Sequence, residues 1–225
     1  MDIRTRAAMP TPIPEDDSIV AHFSDGLLIH FKKDEVIIQG DEEPEGVYLI
    51  KSGFVKAYSI SHEGHNNLLL IHKTGEFMPL PWALDGGHTT GMFYCAMIDV
   101  DVLRTNKNKL RSAMGNNAWL SSEILAQTVN IISVYTQRIQ TLEYRSARER
   151  IISELIYLSA RFGERHGKEM IIRAPITHQD IADSINMSRE TASRALEMLS
   201  QNGLVGQKDH LFTVNDIHQL QSELG

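Results

Sequence analysis

The chain has 225 residues, 42% of them apolar, which suffices for one large domain or two small ones, and two is the expectation. Its one cysteine, Cys95, excludes an intramolecular disulfide framework and any iron–sulfur cluster held by several cysteines of one chain, and it fits a reducing compartment. A formal net charge of −7 argues against a protein that coats nucleic acid nonspecifically, although local charge decides more than the total.

Residues 1–20 open with "MDIRTRAAMPTPIPEDD", basic residues followed by prolines and acids rather than an apolar run. They resemble neither a secretory signal nor a membrane span, and are expected to be a flexible lead-in to a cytoplasmic protein. Residues 21–115 carry short apolar runs separated by turn signals: "EVIIQGDEEPEG", "VYLIKSGFVKAYSISHEGH", "NNLLLIHKTGEF" and "MFYCAMIDVDVLRT". Many short strands at even spacing predict a β-sandwich or a barrel-like β-roll.

Inside that region, "FMPLPWALDGGHTTGMFYC" is unusually apolar, and Phe77, Pro79, Pro81, Trp82, Phe93 and Tyr94 suit either the wall of a pocket or plain core, core being the commoner role. His62, His65, His72 and His88 lie near Cys95 in sequence, so haem or another metal is an alternative. Against it, surface histidines are mostly solvated, "SHEGH" is no compact ligand motif, and a lone cysteine in an apolar strand is usually buried and inert. A cupin-like metal enzyme would carry His-x-His on one strand, which this chain lacks, and no phosphate-loop or dinucleotide fingerprint is present. No catalytic or metal residue is assigned, and an enzyme is the weakest reading.

Residues 116–145 read as one long amphipathic helix. Neither proline nor glycine occurs between Asn116 and Tyr144, and Leu125, Val129, Ile132, Tyr135, Ile139 and Leu142 recur at spacings of three and four. Such a stripe serves as core for a neighbouring sheet or as the seam of a two-helix dimer, and its length and regularity favour the seam. The chain is then predicted helical to Phe162 and to break at "GERHGKE".

The last region, within 146–225, holds "ITHQDIADSINMSRETASRALEMLSQNGLV". Thr177 caps a short helix, with Asp180 three residues on to complete the reciprocal cap. Asn186 suits the turn, Ser188 caps a second helix with a buried stripe of Ala192, Ala195, Leu196 and Leu199, and Gly203 stops it. Arg189, Glu190, Ser193 and Arg194 then share one broad exposed face. Two helices on a tight turn make a helix-turn-helix, and "GQKDHLFTVND" supplies a hairpin wing. Arginine can donate two bonds to guanine and glutamate can accept one from cytosine, which suits the major groove; Ser193 is placed to touch a phosphate or a base. Thr177 and Ser188 are grouped with these as DNA-binding candidates.

From about residue 20 to residue 220 the chain resembles the CRP/FNR family of bacterial transcription regulators. "SRETASR" with "ALEMLSQNGLV" is similar to the family's recognition-helix signature, and "GVYLIKSGFVKAYSISHEG" to its β-roll turns. The resemblance implies an α+β architecture: an effector-binding β-roll (double-stranded β-helix, cyclic-nucleotide-binding-like), a long dimerisation helix and a C-terminal winged helix-turn-helix. It implies a homodimer on double-stranded DNA that meets RNA polymerase. Arg189, Glu190 and Arg194 match the family's base readers, whereas Ser193 is like the FNR branch and Arg189 like the CRP branch. The half-site is therefore expected to be of TGTGA or TTGAC type. Gly75 and Glu76 match the ribose-contacting pair of the cyclic-nucleotide branch, and the phosphate-gripping Arg-Ser pair falls on Thr90 and Gly91. No arginine lies between Arg6 and Arg104, so the bidentate grip on phosphate is missing and cAMP is not expected. Gly75, Glu76, Phe77, Trp82, Thr90, Phe93 and Tyr94 are the candidate pocket for an effector of unknown identity, with haem the named alternative.

Overall fold

A computed structural model describes residues 23, 26–85, 91–141, 143–144 and 146–224. The lead-in, His88, Thr90 and Leu142 lie outside them. The chain divides into two compact units, one holding most residues up to Tyr135 and the other those from Thr136 onward.

In the first unit the apolar runs become β1 (Leu27–Phe31), β2 (Val36–Ile38), β3 (Val47–Ser52), β4 (Phe54–Ile60), β5 (Asn66–Lys73), β6 (Phe77–Met78), β7 (Phe93–Ala96) and β8 (Val100–Thr105). They form two four-stranded sheets, β1-β8-β3-β6 and β2-β7-β4-β5. Val47, Tyr48, Leu49 and Ile50 are all buried, so β3 is covered on both faces, as a continuous apolar run requires. β1 is an edge strand with Leu27 and Leu28 exposed. Gly53 joins β3 to β4 at φ +100°, and a Cβ there would stand 2.7 Å from a Val100 methyl and 2.8 Å from the Asp99 carbonyl oxygen. Only glycine fits that turn.

Two short helices not anticipated from the sequence complete the roll. The apolar segment after β6 folds into α1 (Leu80–Asp85), and α2 (Lys107–Asn116) starts at Asn106, whose side chain accepts the Asn108 N–H at 2.8 Å. Arg111 donates to the Ala83 and Leu84 carbonyls at 2.9 and 2.8 Å and so caps the end of α1. The roll contains two arginines, and both guanidinium groups are engaged: Arg111 on α1, and Arg104 of β8 with Glu45.

The long helix runs as α3 (Ala118–Thr141) and carries two apolar stripes, about 140° apart, rather than one. Leu120, Ile124, Ile131 and Val134 are buried, while Leu125, Val129, Ile132 and Ile139 are 63, 52, 59 and 67% exposed. Core duty thus falls on a stripe that the sequence reading did not single out. Tyr135 belongs to neither: it is half-buried, with its hydroxyl 4.0 Å from the Met92 sulfur.

The second unit contains the end of α3, α4 (Ala147–Phe162), β9 (Gly163–His166), β10 (Glu169–Ile172), α5 (His178–Ser184), α6 (Arg189–Gln201), β11 (Val205–Lys208), β12 (Leu211–Val214) and α7 (Ile217–Ser222). A Ser146–Glu149 capping box starts α4. Ile151, Ile152, Leu155 and Leu158 are buried, and α4 packs against α6. The expected break at "GERHGKE" is a β-hairpin, which joins the wing in one sheet of order β11-β12-β10-β9. Among the described residues no helix is long and apolar enough to cross a membrane.

Candidate nucleic-acid interface

Local hydrogen bonds fix both helices of the turn motif. At α5 the Thr177 hydroxyl oxygen accepts the Asp180 N–H at 3.1 Å, and the Asp180 carboxylate accepts the Thr177 N–H at 2.9 Å. The chain turns at Asn186, φ +53°, and the Ser188 hydroxyl oxygen accepts the Thr191 N–H at 3.2 Å to begin α6. At the other end Gly203 takes φ +68° and donates to the Ser200 carbonyl at 2.9 Å, while Leu204 donates to the Leu199 carbonyl at 3.0 Å. That is the Schellman arrangement, which favours glycine at this site. Ala192, Ala195, Leu196 and Leu199 form the buried side of α6. Asp209 and His210, at φ +50° and +65°, make the two-residue turn of the β11–β12 wing.

Three of the predicted readers, Arg189, Glu190 and Arg194, are exposed on the first turns of α6. Glu190 is held below the usual carboxylate range by a backbone N–H, by Ser188 and by the charges of Arg189 and Arg194, so it is an ionised acceptor. Ser193, expected on the exposed face, is half-buried and 2.9 Å from Nδ1 of His178. The Thr177 and Ser188 hydroxyls are engaged locally: their protons go to Asp180 at 2.6 Å and to Thr191 at 3.0 Å, so donation to a phosphate would exchange one of those bonds and leave the oxygen's accepting role in the cap intact.

His178 is the residue that sequence reading passed over. It stacks on Phe212 of β12, ring centres 5.5 Å apart, and with its bond to Ser193 of α6 it links three elements. The only available signal was its place immediately after a helix cap in a two-helix motif.

In the roll, Gly75 turns at φ +90°, and Gln127 of α3 bridges this turn, donating to the Gly75 carbonyl and accepting the Phe77 N–H, both at 2.9 Å. Glu76 lies 3.3 Å from Nδ1 of buried His72. Phe77, Trp82 and Tyr94 are buried, and Phe93 is half-buried and stacks on Tyr58. The Lys107 ammonium sits 4.3 Å from the Trp82 ring centre, and the indole N–H has no hydrogen-bond partner among the described residues. The cleft lined by Ile38, Gly40, Pro79, Trp82, Met92 and Tyr94 measures about 10 Å³, room for roughly one water. His62 and His65 are exposed, His72 is engaged with Glu76, and Cys95 is buried. Among the described residues no three histidine, cysteine, aspartate or glutamate side chains cluster to hold a metal.

Comparison with known proteins matches residues 28–117 to the cyclic nucleotide-binding domain and residues 149–223 to the Crp-like helix-turn-helix domain. These are the roll and the interface just described, in that order. The chain belongs to the CRP/FNR family of transcription regulators. This CRP/FNR regulator is 26% identical over 191 residues to electron transport regulator A of Shewanella oneidensis, covering 84% of this chain and 75% of that one. Among solved structures it is similar to FixK2 from Bradyrhizobium japonicum, with TM-score 0.73, 23% identity and coverage of 88% and 96%. A CooA mutant from Carboxydothermus hydrogenoformans aligns with TM-score 0.77, 19% identity and coverage of 94% and 93%.

Proposed function

We propose that this CRP/FNR regulator acts as a cytoplasmic homodimer that reads an inverted repeat with TGTGA- or TTGAC-like half-sites, under control of an effector other than cAMP. The observation that carries the DNA-reading part is the exposed trio Arg189, Glu190 and Arg194 on the opening turns of a capped helix whose opposite side is buried. Arg189 and Arg194 supply bidentate donors for guanine, and the ionised Glu190 supplies an acceptor for a cytosine amino group. The exposed stripe Leu125, Val129, Ile132 and Ile139 is the seam between two copies, and RNA polymerase is the further partner.

An effector in the roll would act through the turn at Gly75 to Phe77. Gln127 links that turn to α3, so a ligand that moves the turn biases how two copies of α3 pack, and with them the spacing of the recognition helices. The tight cleft at Trp82 and Tyr94 means that an organic ligand larger than a water has to open it.

The test is enrichment from a pool of random duplexes. Arg194→Ala is expected to abolish discrimination within the half-site, and Glu190→Gln to relax preference at one base pair, each lost base contact costing about 1–3 kcal/mol. Unchanged selectivity in both variants would overturn the assignment of α6 as the reading helix.

A further inference from the structure

His178 joins three elements at the edge of the reading face. It is the first residue of α5, its ring stacks on Phe212 of β12, and its Nδ1 is 2.9 Å from the Ser193 hydroxyl of α6. Together with Ser193, Leu196, Glu197, Gln207 and Phe212 it lines a cleft of about 380 Å³ between α6 and the wing. We propose that His178 is a positioning residue for base reading: it holds the Ser193 hydroxyl at the DNA-facing edge and, on taking up a proton, frees that hydroxyl's own proton for donation outward. This rests on the reading of α6 as the recognition helix.

The chemistry follows from the inventory of the two groups. A neutral imidazole has one N–H and one lone pair, so Ser193 can donate to Nδ1 and offer its lone pairs outward, or accept from Nδ1 and offer its proton. An imidazolium has an N–H on both nitrogens. The Ser193 oxygen then has to accept from Nδ1, and its own proton is directed to an acceptor such as thymine O4 or guanine O6 and N7. Preference at the base pair that meets Ser193 therefore shifts toward T or G as His178 charges.

The sign of the pH response is set by the surroundings. Burial, and next the charge of Arg189, hold His178 below the ordinary imidazole value, so the ring of the free protein is neutral at pH 7. Glu197 lines the same cleft with a charge of the opposite sign to Arg189, Asp180 on the same helix is engaged by the Thr177 cap, and Phe212 and Gln207 bring no charge. The negative field of the DNA phosphates offsets the charge that Arg189 places beside the ring and favours the imidazolium, so binding takes up a proton. Affinity rises as pH falls through the histidine range, by at most about tenfold per pH unit for each chain.

The experiment enriches random duplexes with the full chain at about pH 8 and about pH 5.5 at constant salt, and measures affinity for the enriched duplex. Wild type is expected to bind more tightly at the lower pH and to shift one position of each half-site toward T or G. Ser193→Ala keeps the rise in affinity and loses the shift. His178→Gln, which can hydrogen-bond but not titrate, loses both, with folding checked by its melting curve. A His178→Gln protein that keeps the wild-type pH response, or a wild type with none, overturns the proposal while leaving α6 as the reader. Failure of wild type to enrich any sequence at either pH overturns the recognition-helix reading itself, and this proposal with it.

Discussion

Arg138 shows how one side chain can fasten an element. Near the end of α3 it donates to the Ser184 carbonyl at the end of α5 at 2.7 Å, faces the Glu154 carboxylate of α4 at 3.6 Å, and lies 5.7 Å from the centre of the Tyr157 ring. Glu154 is 4% exposed, so its charge has little water to fall back on. Removing one partner of such a pair strands the other and costs about 3–5 kcal/mol, far more than an exposed pair is worth. Arg138→Met should therefore lower the melting temperature of the second unit by several degrees, and adding Glu154→Gln to that variant should recover part of the loss. A single Arg138→Met that melts like wild type would show that the pair does not fasten the helix. None of this was legible in the sequence, because Arg138 and Glu154 acquire their meaning only when α3, α4 and α5 meet.

At the scale of elements, α3 explains what sequence periodicity can and cannot decide. Spacings of three and four identify the helix and its stripes, but they do not say which stripe meets the core. Burial of Leu120, Ile124, Ile131 and Val134 leaves Leu125, Val129, Ile132 and Ile139 outward, and a heptad-spaced apolar face invites a second helix. Ile132→Glu should convert the protein to a monomer, read by sedimentation at micromolar concentration, with far-UV circular dichroism unchanged. A dimer that survives this substitution would place the seam elsewhere. The caps at Thr177, Ser188 and Gly203 were legible because they are local, each closed within three to five residues of chain. The β9–β10 hairpin was not, since β9 is exposed throughout and carries no apolar alternation. α1 and α2 escaped for a related reason: α1 is six residues inside an apolar run, and α2 buries only Leu110.

At the scale of the whole molecule, the order of roll, long helix and winged helix-turn-helix is what a regulator needs to let a sensing event reach DNA. The family resemblance made that order legible, while the pairing of the roll into two sheets was not, since register between distant strands leaves no local mark. Affinity alone does not test the arrangement, because phosphate contacts attract any duplex and weaken with salt whatever its sequence. Spacing does test it. The most direct measurement is affinity for duplexes bearing two inverted copies of the enriched half-site, with the separation varied one base pair at a time. A homodimer presenting two α6 helices predicts a maximum when the half-site centres lie about one helical turn apart, roughly 10 base pairs, and a steep loss when the separation changes by about half a turn. Equal affinity at every spacing, or for a single half-site, would contradict the dimeric reading of an inverted repeat.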